Sequence, residues 1–135
     1  MELSGLVEYE RLYKLDLLHP VTDAPLGITF QIRSAGSREA KAVLRKHTDE
    51  NTERAQKRKI IKGSVLEHQE LEKAASYIAS WDWGDNTWNG TKPELSMKTA
   101  IDILEAEGWI YAQVTEAAST IANFTATSEQ PSKKP

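Results

Sequence analysis

Asp85, Thr87 and Asn89 stand at alternate positions and Gly90 follows them. That pattern resembles the first half of an EF-hand calcium loop. Calcium takes about six to eight oxygens, and such a loop closes with a bidentate glutamate at its twelfth position. Counted from Asp85, that position is Ser96, and Glu94 falls two residues early. With the ligand set incomplete, the segment reads as a turn-rich loop whose Asx side chains hold its own backbone. Other chemistry is equally thin. There are no cysteines, which removes disulfides, thiolate metal sites and cysteine nucleophiles together. His19 precedes a proline in a turn, His47 lies in a polar run, and His68 falls near the start of a helical segment, so no zinc set forms. No serine has a histidine at a recognisable spacing. The seven glycines are scattered and make no phosphate cradle. No catalytic residue, metal or cofactor is expected, and the chain does not read as an enzyme.

Tryptophan is more informative. Three of the four, Trp81, Trp83 and Trp88, lie in WDWGDNTWNGTKPE (81–94). Three exposed indoles would waste much apolar area, so most should be buried or kept for a partner. Trp81 and Trp88 are expected to fold back as a small core, and Trp83 to stay partly exposed. The stretch Arg38–Lys62 holds nine Lys/Arg against four Asp/Glu. Clustered cations suit phosphates, but no aromatics are interleaved for stacking, so a solvated face is the better reading. The whole chain has a net charge of −3, which points to neither a nucleic-acid coat nor a membrane sticker. No apolar run approaches the ~18 residues of a membrane span. The N-terminal MELSGLVEYERLYK has acids where a signal peptide needs basic and then apolar residues. The sequons at Asn89 and Asn123 are therefore not expected to meet the glycosylation machinery. A soluble cytoplasmic protein is expected.

The elements that position these residues follow from periodicity. At 135 residues the chain fits one domain of the usual ~100–200 residues. Tyr9, Arg11, Tyr13, Leu15 and Leu17 share one face of an alternating run, and Ile28, Phe30 and Ile32 share one face of another. HPVTDAPLG (19–27) between them is loop chemistry, so residues 9–34 read as a β-hairpin. A lone hairpin is marginal in water and must lie on something helical. Ser37 can cap a helix carrying Ala40, Val43 and Leu44. From 45 to 59 only Ala55 is apolar, and this run reads as exposed and mobile. Ser64 with Glu67 has capping-box spacing, opening a helix over 64–81 with Leu71, Ala74, Ala75, Ile78 and Trp81 on one side. Thr91 to Glu94 and Ser96 are alternative caps for a helix over 96–107, with Met97, Ala100, Ile101 and Leu104, stopping at Gly108. Ile110, Val114, Ala117, Ile121 and Phe124 form the seam of a last helix over 109–124. The fold is expected to be α+β and mainly helical: an N-terminal antiparallel hairpin on three to four helices, within a single domain 1–124 (helical part 37–124), and a disordered tail over 125–135.

Two blocks carry a resemblance. HPVTDAPLGITFQIRSAGS resembles the opening of phage tail assembly chaperones, where an H-P-V-T-x-x-P-L-G loop joins two strands and a helix follows. The run from Trp81 to Phe124 resembles the carboxyl half of that family. It holds an aromatic-x-G turn at Trp88–Gly90, P-x-x-S at Pro93–Ser96, a W-I at Trp109-Ile110 and a closing N-F at Asn123-Phe124. The blocks span about residues 9–34 and 81–124, roughly half the chain, and order and spacing carry the match.

The resemblance implies a factor made in the cytoplasm of a bacterium infected by a long-tailed, siphovirus-type phage, or carrying its prophage. It would bind the aggregation-prone tape measure protein, keep it soluble, help recruit tail tube subunits and be absent from the mature virion. Such families often add a longer product by ribosomal frameshifting, and Lys133-Lys134 could be encoded by a slippery adenine run. Independently of the family, apolar helical stripe in excess of what a hairpin covers suits an amphipathic client helix. The candidate contacts are Trp83, Trp88, Trp109, Tyr111 and Phe124, since aromatics dominate binding hot spots. Self-association is a further expectation; a membrane partner is not. A structural tail or head-completion subunit retained in the virion, and a nucleic-acid module using 38–62, are the alternative readings.

Overall fold

A computed structural model describes residues 1–125. The expected tail, apart from Thr125, and the Lys133-Lys134 pair lie outside the described residues. Three strands make one antiparallel sheet: β1 (Tyr13–Leu18), β2 (Pro25–Ile32) and β3 (Ile78–Asp82), in the order β1-β2-β3. The hairpin has the expected parity from Tyr13 on, but Tyr9 and Arg11 precede β1, and Pro25–Gly27, read as loop, open β2. Leu15 faces Phe30 and Tyr13 faces Ile32 across β1 and β2, with a bulge between Asp16 and Leu18. Ile28, Phe30 and Ile32 are buried and form the sheet's inner row. In the connecting turn, the His19 Nδ1 accepts from the backbone N–H groups of Val21 and Thr22, at 3.1 and 3.3 Å.

Four helices follow: α1 (Arg38–Gln56), α2 (Gly63–Ser76), α3 (Met97–Ala106) and α4 (Gly108–Ser119), then a single 3₁₀ turn (Ile121–Phe124). The Ser37 and Ser96 hydroxyls accept from the N–H groups of Ala40 and Thr99, as N-caps do. The Ser64–Glu67 capping box does not form. The α2 helix starts at Gly63 behind Lys62, which makes no side-chain cap.

The helix read over 64–81 is a helix and then a strand. Ile78 and Trp81 meet Ile32 and Phe30 on the second edge of β2. Leaving that edge of a core strand bare would orphan its backbone groups, so pairing wins over helical periodicity. Arg33 fastens the switch. Its guanidinium donates to the carbonyls of Ser76 and Ile78, at 2.9 and 3.2 Å, supplying a cation and donors where α2 runs out of partners.

The polar run 45–59 is helical as far as Gln56, which corrects the reading of it as mobile. Its inward stripe is polar rather than apolar. His47 is buried, and the Asn51 and Gln69 side-chain amides exchange reciprocal hydrogen bonds of 3.0 Å between α1 and α2. Buried polar groups that satisfy one another in this way do not need an apolar face.

Gly84 sits at the junction of the β3 loop with the hairpin, at φ +59°, and an added Cβ would lie 2.6 Å from the Gly27 carbonyl oxygen. Gly84→Ala is expected to destabilise by about 1–3 kcal/mol, through strain at a left-handed residue and the backbone clash. Gly90→Ala shares the positive φ but meets open space and should cost less. Thermal melts of the two variants check the order.

Candidate partner-binding surfaces

The tryptophan loop is held from several sides. The Asn86 amide donates to the carbonyls of Leu26 and Trp83 at 2.8 and 3.0 Å, tying the loop to the hairpin. Asp82 accepts from the Gly84 N–H at 2.9 Å. The Trp81 indole N–H donates to the Pro93 carbonyl at 3.0 Å. Asp82 and Asn86 thus hold backbone, as the sequence suggested for the loop's Asx side chains. Among the described residues no group of three or more His, Asp or Glu is placed to hold a metal.

Two of the five expected contact residues are core residues. Trp83 is 5% exposed, not partly open. It shares the strand parity of Trp81, so both indoles turn onto Phe30, with ring centroids 6.1 and 5.4 Å from it, and pack edge-on to each other at 5.8 Å. The Trp83 indole N–H is buried without an acceptor. Phe124 is 1% exposed. The α4 seam breaks at Thr120, which is extended, and the following 3₁₀ turn swings Phe124 inward against Tyr13, with centroids 6.4 Å apart. The same break leaves Ile121 exposed rather than in the seam. The N-terminal segment closes over this turn, with Val7 bridging Thr125 and the Glu8 N–H donating to the Phe124 carbonyl at 2.6 Å.

The other three stay partly open but are not one patch. Trp88 and Trp109 are half-buried and donate their indole N–H groups to the two oxygens of the Glu107 carboxylate, at 3.0 and 3.2 Å. Both rings are thereby fixed at the corner between α3 and α4. Tyr111 lies two residues past Trp109, about 200° around the helix, and faces elsewhere.

A second surface was not singled out in the sequence. Residues Leu71 of α2 and Met97 and Ile101 of α3 floor an open groove of about 660 Å³. Glu67, Glu72, Asp102 and Glu105 stand around it. Asp102 is paired with Lys98 at 2.9 Å and Glu72 with Lys46 at 3.2 Å, while Glu67 and Glu105 are in no ion pair among the described residues. The stripes that supply this floor were visible in the sequence. Nothing there showed that the two helices would part far enough to leave it open.

Glu72 also anchors α1. Because its carboxylate only accepts, the His47 imidazole donates from Nε2, at 2.5 Å, and His47 is 5% exposed. Burial pushes the Glu72 carboxyl up. The hydrogen bonds and charges of His47 and Lys46 outweigh this and hold it below its ordinary value. Burial also raises the Tyr77 phenol, with the nearby Lys73 acting against it.

Compared with known proteins, the chain matches no family model, no curated protein and no solved structure. No helix among the described residues is long and apolar enough to cross a membrane.

Proposed function

We propose that this chain is a tail assembly chaperone of the long-tailed-phage kind. It binds the tape measure protein, keeps it soluble and helps recruit tail tube subunits. One observation supports the reading above others: the two blocks that carry the resemblance pack on each other. The first is the β1–β2 hairpin, and the second runs from Trp81, near the end of β3, through α4 to Phe124. They meet through Asn86 on Leu26, through Trp81 and Trp83 on Phe30, and through the Gln113 amide on the backbone of Leu18 at 2.9–3.0 Å. The segment that resembles nothing, 45–62, lies mostly in the outer helix α1 and its linker. Motifs scattered along a chain gain weight when they form one body.

The client surface in this reading is the corner where Glu107 pins Trp88 and Trp109. Rigid half-buried indoles offer large contact area at low entropy cost. Co-expression with a tape measure protein from the same genome tests the proposal. The tape measure protein should be soluble and co-purify with the chain, and be insoluble without it. Trp88→Ala with Trp109→Ala should weaken capture at least about tenfold, with an unchanged far-UV circular dichroism spectrum. A tape measure protein that precipitates equally with and without the chain sinks the proposal.

A further inference from the structure

Residues 57–62, KRKIIK, join α1 to α2 without regular structure. Ile60 is 86% exposed there. Lys57 pairs with Glu53 at 2.7 Å, but Arg58, Lys59 and Lys62 are in no ion pair among the described residues. Arg58 holds a left-handed backbone, φ +55°, as the chain turns out of α1. A single exposed apolar side chain is ordinary. This one is ringed by free cations, and the same molecule carries its complement. The α2–α3 groove has an apolar floor, with Met97 still 43% exposed, and two unpaired acids, Glu67 and Glu105, at its rim. Its volume of about 660 Å³ admits an isoleucine side chain with room for its neighbours.

We propose that the groove receives the Ile60 linker of a second copy of this chain, in a two-fold symmetric dimer. Ile60 enters between Leu71, Met97 and Ile101, and the linker cations meet Glu67 and Glu105. The symmetry follows from position. Ser64 lines the near edge of the groove and lies four residues after Ile60, so the plug is at most about 14 Å along the chain from that edge, and Leu71 on the floor is about two helical turns further on. A face with plug and socket side by side is self-complementary under a two-fold rotation, and one interface then contains both contacts. The charge pairing sets the register of the plug and rejects misplaced copies. The dimer needs no client, so it stands or falls apart from the chaperone reading.

Sedimentation velocity on the full 135-residue chain tests it. The mass should rise with concentration from 15.1 kDa toward twice that value, less so in high salt. Ile60→Asp should raise the dissociation constant at least about tenfold. The decisive pair reverses one side each. A groove variant (Glu67→Lys with Glu105→Lys) carries two positive surfaces, and a linker variant (Arg58→Glu, Lys59→Glu, Lys62→Glu) carries two negative ones. Each should be monomeric alone, and an equal mixture should form a heterodimer in which both contacts are again opposite in charge. All of these positions are exposed, and circular dichroism confirms that the variants are folded. A wild-type chain that stays at the monomer mass up to about 500 µM overturns the proposal, where even weak interfaces associate. So does assembly beyond the dimer, dimerisation unaffected by Ile60→Asp, or a mixture that remains monomeric.

Discussion

Phe30→Ala is expected to lower the unfolding free energy by about 3–5 kcal/mol, the usual cost of emptying a large aromatic site. Phe30 is fully buried in the central strand, opposite Leu15 on one side and Trp81 on the other. Both inward indoles, Trp81 and Trp83, lean on its ring. Removing it leaves them without a floor, and the backbone of a central strand has little freedom to collapse into the gap. A domain of this size is stable by only about 5–15 kcal/mol, so the variant should sit close to unfolding. Leu66→Ala, at an exposed position of α2, is the control and should change stability by less than about 0.5 kcal/mol. Urea titrations followed by far-UV circular dichroism measure both. A Phe30→Ala variant within about 0.5 kcal/mol of wild type, the margin of an ordinary surface change, would mean that the sheet core is not where Phe30 places it.

The hairpin around Phe30 was legible because its two runs mostly alternate and the HPVTDAPLG stretch separates them. The third strand was not. Leu71, Ala74, Ala75 and Ile78 recur at helical spacing, and that pattern runs on smoothly into β3. Only the unpaired edge of β2, a long-range feature, decides that residues 78–82 extend. The misplacement of Trp83 follows directly. Read as loop residues, Trp81 and Trp83 have independent fates. Once Trp81 is in β3, Trp83, directly after the strand and two residues on, continues its alternation and shares its face. Phe124 was misjudged for the converse reason, since its seam spacing fits a helix that in fact ends at Ser119.

Helix α1 was hidden by a different effect. Its inward residues His47 and Asn51 recur at helical spacing, but they are polar, and a reading of apolar periodicity passes over them. The partners that make them a stripe, Glu72 and Gln69, lie on another helix. The groove floor shows the limit of stripe counting from the other side. Met97 and Ile101 were read as core face, yet Met97 keeps nearly half its surface because two neighbouring helices do not close over it. How wide a stripe is can be read from one helix; how much of it is covered depends on the crossing of two.

Glu72→Ala is expected to lower stability at neutral pH by about 1–3 kcal/mol, because it strands the buried His47 N–H and removes the main polar tie between α1 and α2. The pH dependence separates charge from mere contact. The folded Glu72 carboxyl lies below its ordinary value. Its ionisation therefore stabilises the fold fully above that value, and the contribution is lost as the pH falls through the folded pKa. Glu72→Gln keeps an acceptor for His47 but has nothing to titrate. The gap in stability between wild type and Glu72→Gln should thus close as the medium is acidified through and below the ordinary carboxylate range. A gap that persists at the lowest pH at which the protein folds would mean that the carboxylate charge contributes nothing. A double-mutant cycle with His47→Ala isolates the pair, and its coupling should vanish over the same acid range. The loss should be local before it is global. Hydrogen exchange in Glu72→Ala should accelerate first in α1 and the 57–62 linker, since among the described residues few other buried side chains fasten that helix to the rest.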